Sequence, residues 1–498
     1  MTDAHKHGTG GVTYRSVGDD YFQARTLRRS AGRWSLWALG VGAVISGDFF
    51  GWNLGLGAGG FGGLLLAFLV ATVMYIGLCS SIAEMTAALP HAGGAYAFAR
   101  AALGPWVGLL AGLSQTMAYV LIPAVIVVGI GGYLGAIFES PDAFAPLWWL
   151  GIYLVFVGLN CWGAAAACRL AIAFTLLALA ILLVFFVGAI PQVSWDLALD
   201  IAPAEGSSRF LPQGVMGIAY ALPFALWFYL AIEILPLAAE ETRAPATDMP
   251  RALMIGLPTL MVSGLLVLVL NSGIEPGAAA VAQVPDPLAL GFTTIFGDRI
   301  GADGLALIAV AGLIASFHAV LFAAGRNIFA LSRAGYLPTW LSLCHRLWQT
   351  PQRALIAGAA VGYGAALLIY VAEPYVGDLP LGAVLLDMAV FGVLLSYLLQ
   401  CLSFILLRRT RPGMARPFVS PLGVPGAGVA LVIALAALLV LVRTPGFQIA
   451  LIGCATWYLA GLLYFALRGR TALVRAPEEA AVEQAGTEPD EAMVESPQ

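Results

Sequence analysis

Apolar residues run in stretches of about twenty, the helix length that crosses a ~30 Å hydrocarbon layer, and these recur from Trp34 to Leu467 with short polar breaks between them. Barrel strands would alternate apolar with polar positions, whereas 176–187 and 429–442 are apolar on every face. The pattern predicts an all-α membrane protein with about twelve spans, near 34–57, 61–88, 105–135, 146–165, 169–190, 213–240, 251–271, 302–334, 354–372, 380–407, 426–442 and 448–467. Two spans are interrupted. The first carries Ser46-Gly47-Asp48-Phe49-Phe50-Gly51-Trp52-Asn53, and the sixth holds Pro223, Glu233 and Pro236. Unwound backbone in a bilayer leaves amides and carbonyls that are tolerated only where they line a cavity or bind a ligand, so both breaks point to a site. Standing five apart, they match two five-helix units related by an inverted repeat, with a ligand held between opposed half-helices. Spans eleven and twelve then lie outside the repeat.

Composition agrees, since 60% hydrophobic and 10% charged residues over 498 positions exceed what one soluble core could hide. The net charge of −4 conceals an asymmetry. Most arginines, among them Arg100, Arg169, Arg243, Arg333 and Arg408, fall in or beside loops on the side of the amino terminus, and only Arg209, Arg299 and Arg443 fall opposite. Basic loops stay cytoplasmic, so both termini are expected inside a multi-pass inner (plasma) membrane protein. Residues 1–33 form a polar cytoplasmic tail without a removable signal peptide, 34–470 the transmembrane domain, and 471–498 an acidic Ala/Glu/Pro-rich disordered tail. The six cysteines lack metal-like spacing and are read as free thiols. No metal, cofactor or nucleic-acid partner is expected; the partners are the lipid bilayer and a small solute.

Asp48 lies near the middle of the first span, where an ionised carboxylate is costly unless paired or hydrated and marks a functional site by default. A carboxylate satisfied by neighbouring amides or hydroxyls is the structural alternative. Glu233 suits a coupling proton, an inner partner for an ammonium, or a bridge between helices. His318 titrates in the physiological range when exposed, yet a lone histidine on an apolar face is more often a packing residue. Asp387, near the outer end of span ten, could close an external gate or reach water. Gln115 and Tyr119 stand four apart on one face of span three, as lining groups or as an interhelical hydrogen-bonding pair. Trp227, one to two turns before Glu233, could cover an ammonium by cation–π attraction worth roughly 0.5–2 kcal/mol.

Two motifs carry a family resemblance. The loop after span six, Ala239-Glu240-Glu241-Thr242-Arg243-Ala244-Pro245-Ala246-Thr247-Asp248-Met249-Pro250-Arg251-Ala252, and the run Gly325-Arg326-Asn327-Ile328-Phe329-Ala330-Leu331-Ser332-Arg333-Ala334-Gly335-Tyr336-Leu337-Pro338 resemble signatures of the amino acid, polyamine and organocation (APC) transporter superfamily. The resemblance covers nearly everything between two disordered tails and implies the five-plus-five repeat. Ile45-Ser46-Gly47-Asp48-Phe49-Phe50-Gly51-Trp52-Asn53, with Leu89-Pro90-His91-Ala92-Gly93-Gly94-Ala95-Tyr96, is most similar to the ethanolamine permease branch. Amino acid carriers of the superfamily usually have Gly-Ser-Gly in the first break, and the last glycine aligns here with Asp48. An acid there neutralises the positive helix end that would receive a substrate carboxylate and attracts an ammonium instead.

The resemblance therefore implies a secondary transporter that takes up a small amine, ethanolamine above all, by alternating access. Substrate would contact Ile45, Ser46, Gly47, Asp48, Phe224, Trp227, Leu230, Gln115 and Tyr119, with Glu233, His318 and Asp387 as candidates for coupling or gating. The superfamily's span-five coupling lysine is absent, since Lys6 is the only lysine in the chain. A proton or a sodium ion remains open as the coupling ion, as does oligomeric state. The alternatives are an amino acid permease of the same fold and a non-transporting amine sensor. A membrane-embedded enzyme finds no support, because no nucleophile-and-base motif is present.

Overall fold

The structure is a computed structural model that describes residues 6–7, 11–91, 93–372, 375, 381–444 and 447–475. Among them, eleven helices are long and apolar enough to cross a bilayer: Leu54–Ala88, Pro105–Ile137, Asp142–Cys161, Ala164–Gln192, Met216–Glu241, Pro245–Gly273, Gly301–Arg333, Gln352–Ala372, Leu381–Thr410, Gly423–Arg443 and Phe447–Thr471. These are spans two to twelve of the expected set. Span one is no single long helix because it is broken. It runs as Arg33–Val44, then one turn over Ser46–Phe49, then a non-helical stretch, and its outer half starts at Leu54. That outer half ends at Gly60, whose φ of 72° turns the chain into span two. A Cβ at Gly60 would sit 2.2 Å from Pro212 Cγ, so the turn needs glycine for space as well as for its left-handed backbone.

Span six breaks as well. Met216–Ala225 is α-helical, Leu226–Phe228 tightens to a 3₁₀ turn, Ala231 adopts φ 86°, and Ile232–Glu241 continues as 3₁₀ helix. A non-glycine residue at positive φ is strained. The break falls between Pro223 and Pro236, the two residues expected to interrupt the span.

Sequences that are apolar all round sort by burial into a core and a lipid-facing shell. Around the two breaks, spans one, two, six and eight form the buried centre. Spans eleven and twelve turn Val432, Leu435, Leu439, Ile452, Leu459 and Leu463 outward, as expected of helices outside the repeat.

Both described ends of the chain lie on one face. Tyr14 pairs in parallel with Leu473, and the Arg15 N–H donates to the Leu473 carbonyl at 2.8 Å. Residues 11–33 are no loose tail. Arg25 is buried and donates from Nε to Ser342 Oγ at 2.8 Å, Tyr21 donates to the Arg333 carbonyl at 2.7 Å, and Ala31 pairs with Thr242. A polar segment orders here because the inner loops offer it buried partners, which composition does not reveal. Of the expected carboxy-terminal tail, 471–475 pack against this face and 476–498 lie outside the described residues. The two signature motifs lock to one another: Glu241 pairs with Arg326 at 2.9 Å, both fully buried, and Glu240 pairs with Arg333.

Candidate functional site

The first span departs from regular helix in two steps. At Ser46 the backbone N–H donates to Ser316 Oγ (3.1 Å) of span eight, whose hydroxyl donates in turn to the Gly42 carbonyl (2.9 Å). The serine is thus inserted into the helical ladder, a recognised cause of local unwinding. One turn later Phe50 is fully extended, Gly51 takes φ 89°, and Asn53 Nδ2 anchors the outer half through the carbonyls of Val281 and Val284, both at 2.8 Å.

Asp48 therefore lies in the last turn before the break, and the expectation that it stands at the start of a half-helix is corrected. Its carboxylate is fully buried, and neither oxygen meets a donor among the described residues. Among those residues the Ser263 hydroxyl of span seven is the one side-chain donor near it, and that hydroxyl also lies 3.3 Å from the Leu260 carbonyl. A buried carboxylate without donors is among the costliest arrangements a protein can hold. An arriving cation or a proton relieves that cost.

Span six meets span one at this turn. A Cβ on Gly47 would lie 2.1 Å from the Trp227 carbonyl oxygen, so the two backbones touch where both are irregular. The Trp227 indole lies over Gly51 and 6.5 Å from the Phe50 ring, covering the break. Ile45 and Leu230 are buried beside it, and Phe224 packs against Gly55 of the outer half. Beyond Phe49 and Phe50, on the face opposite the termini, a cleft is bounded by Tyr133 and Asp286, which hydrogen-bond across it.

Glu233 sits in a second polar cluster, fully enclosed by four spans. Tyr397 donates to its Oε2 at 2.7 Å and Tyr119 to its Oε1 at 3.4 Å, while Gln115 Nε2 donates to the Tyr119 hydroxyl at 3.1 Å. Gln115 and Tyr119 thus face the Glu233 carboxylate rather than Asp48. The two clusters are joined by aromatic rings. Tyr75 hydrogen-bonds Tyr397 (3.0 Å) and stacks on Tyr229 at 4.9 Å, and Tyr229 shares a 2.6 Å hydrogen bond with Thr72. Tyr75, Tyr229, Tyr397, Ser263 and Ser316 were not singled out from sequence. Their only signal is a hydroxyl within an apolar run, and many hydroxyls in the chain share it.

The remaining candidates stand apart. His318 Nε2 lies 2.9 Å from the Ala167 carbonyl and Nδ1 lies 3.2 Å from Asn160 Nδ2. One donor and one acceptor satisfy a neutral imidazole completely. Asp387 is half-buried in the early turns of span ten, away from both clusters. The six cysteines are unpaired thiols, and no cluster of metal-ligating side chains occurs among the described residues.

Comparison with known proteins gives the family. The pattern described as "Amino acid permease" matches residues 32–466. An uncharacterised transporter of Rhizobium meliloti (strain 1021) is 28% identical over 455 residues, covering 89% of this chain and 92% of its own length. A branched-chain amino acid permease of Bacillus subtilis (strain 168) is 27% identical over 471 residues, 90% and 94% of the two chains. A methylthioribose transporter of the same organism is 24% identical, covering 82% and 88%. With broken first and sixth spans meeting at a buried acid and a match across almost the whole membrane domain, the chain belongs to the amino acid permease family of the APC superfamily.

Proposed function

We propose that this membrane transporter carries a small primary amine lacking a carboxylate, ethanolamine above all, by alternating access through the junction of spans one and six. One observation carries the reading: among the described residues Asp48 is buried without a cationic partner at the place where the two broken spans touch. A substrate ammonium supplies the missing charge and up to three hydrogen bonds, and a desolvated pair of this kind is strong. A carboxylate is disfavoured there by like charge. The Ser46 and Asp48 amides are also engaged, with Ser316 Oγ and with the Ile45 carbonyl at 3.0 Å.

Trp227 covers the ammonium by cation–π attraction, and its displacement opens the site. Glu233, held by two tyrosine hydroxyls, is the coupling group for a proton. The face that carries both termini is cytoplasmic, in keeping with its arginines.

A second reading is favoured by the family description and by the printed name of the branched-chain amino acid permease: an amino acid carrier, with the carboxylate held elsewhere in the break. The methylthioribose transporter has neither kind of substrate in its name, so family membership leaves the choice to the site. Flux of radiolabelled ethanolamine into proteoliposomes, competed by unlabelled ethanolamine, alanine or leucine under imposed proton or sodium gradients, separates the readings. Saturable ethanolamine flux that amino acids leave untouched supports the amine reading. Saturable alanine or leucine flux without ethanolamine flux overturns it.

A further inference from the structure

We propose a second ligand site, for a phosphate-bearing anion, on the face that carries both termini. Four loops of that face enclose a depression of about 600 Å³. Arg28 and Arg29 come from the segment that leads into span one, Arg169 from the first turns of span five, and Arg243 from the loop after span six. None of the four is in an ion pair among the described residues, and no acidic side chain lines the depression. Arg326, Arg333, Arg408 and Arg416 of this face are by contrast paired, with Glu241, Glu240 and Glu84. What sets the four apart is that they converge on one depression without an acid, an arrangement that suits an anion from outside the chain.

The floor of the depression strengthens this. Span five begins at Ala164, after Gly163 with φ 128°. The Gly163 carbonyl accepts from Ala166 (3.0 Å) and Ala167 (3.1 Å), while the Ala164 and Ala165 amides have no acceptor among the described residues. Both residues line the depression. The positive end of a 26-residue helix and two free amides thus face the same space as four guanidinium groups, a combination suited to phosphate oxygens.

Trp162 and Trp348 stand at the rim and are exposed, as tryptophans are at the level of lipid headgroups. Basic pockets between spans on the cytoplasmic side receive such headgroups. A free phosphate offers the same oxygens, so the source is a matter for experiment. An occupant would tie the entry to span one, the start of span five and the exit of span six together.

The test uses the full-length protein in detergent, titrated with dioctanoyl phosphatidylglycerol, dioctanoyl phosphatidylcholine or inorganic phosphate and followed by thermophoresis. Phosphatidylglycerol is expected to bind at least tenfold more tightly than phosphatidylcholine, and Arg169→Gln/Arg243→Gln is expected to weaken it roughly tenfold or more. Rising salt should weaken binding in parallel. Ala165→Glu gives a folding-independent check, because an acid at a helix start favours the helix while repelling the anion; binding should fall with no loss of thermal stability. Phosphatidylglycerol binding without inorganic phosphate binding identifies a lipid headgroup as the source; binding of both identifies a site open to free phosphate. Binding of neither, or binding of either that Arg169→Gln/Arg243→Gln and Ala165→Glu both leave unchanged, overturns the proposal.

Discussion

Gly47 and Trp227 touch backbone to backbone: a methyl group on Gly47 would lie 2.1 Å from the Trp227 carbonyl oxygen. No side-chain rotation relieves such a contact, because the obstacle is main chain on both sides. Gly47→Ala should therefore separate spans one and six at the site, at a cost of about 1–3 kcal/mol typical of overpacking. The expected outcome is a lower melting temperature in detergent and loss of saturable uptake. Unchanged melting and uptake would mean that the two spans do not meet this way.

Asp48→Asn separates a functional acid from a structural one through the sign of its effect on stability. A carboxylate held by neighbours would be missed, and its removal would destabilise. A buried carboxylate without donors is a liability retained for function, so neutralising it should raise the melting temperature while abolishing ethanolamine uptake. A destabilised mutant, or full uptake by a well-expressed one, would remove the assigned role.

The two hydroxyls on Glu233 should differ in weight. Tyr397 donates at 2.7 Å and Tyr119 at 3.4 Å, and hydrogen bonds to a charged group are worth about 1.5–3 kcal/mol when well made. Tyr397→Phe should cost more stability than Tyr119→Phe and should alter the response of uptake to an imposed proton gradient more strongly. Equal effects would assign Glu233 a purely packing role.

His91 supplies a pH dependence outside the spans. Burial, then the neighbouring Arg333 guanidinium, pushes its imidazole down to about 3; an N–H donor lies 2.9 Å from each ring nitrogen, from Gly93 and from Arg333, of which a neutral ring accepts one and a protonated ring neither. A folded pKa below the ordinary value of ~6.5 means that its stabilising contribution is complete above about pH 6.5 and declines as pH falls toward 3. Thermal unfolding between pH 7.5 and 5.5 should lose stability in the wild type, and His91→Gln should flatten that slope. An identical slope in both would assign the acid sensitivity to other groups.

Much of this protein was determined by its amino-acid order alone. Apolar runs of bilayer length dictate helices, since each backbone polar group in hydrocarbon must be satisfied within its own segment; the expected spans two to twelve correspond to the eleven long helices. The breaks were legible too, because Pro223, Pro236 and the glycines near Asp48 weaken helices locally. Tertiary structure decided what those breaks do. It unwound span one on both sides of Asp48, at Ser46 by inserting Ser316 from a helix some 270 residues away, and again at the extended Phe50. It also drew Gln115 and Tyr119 to Glu233, and packed residues 11–33 onto the loops of spans six and eight. Local propensity sees only neighbours within a turn or two, whereas these outcomes depend on which distant hydroxyl, carbonyl or guanidinium reaches a buried polar group first.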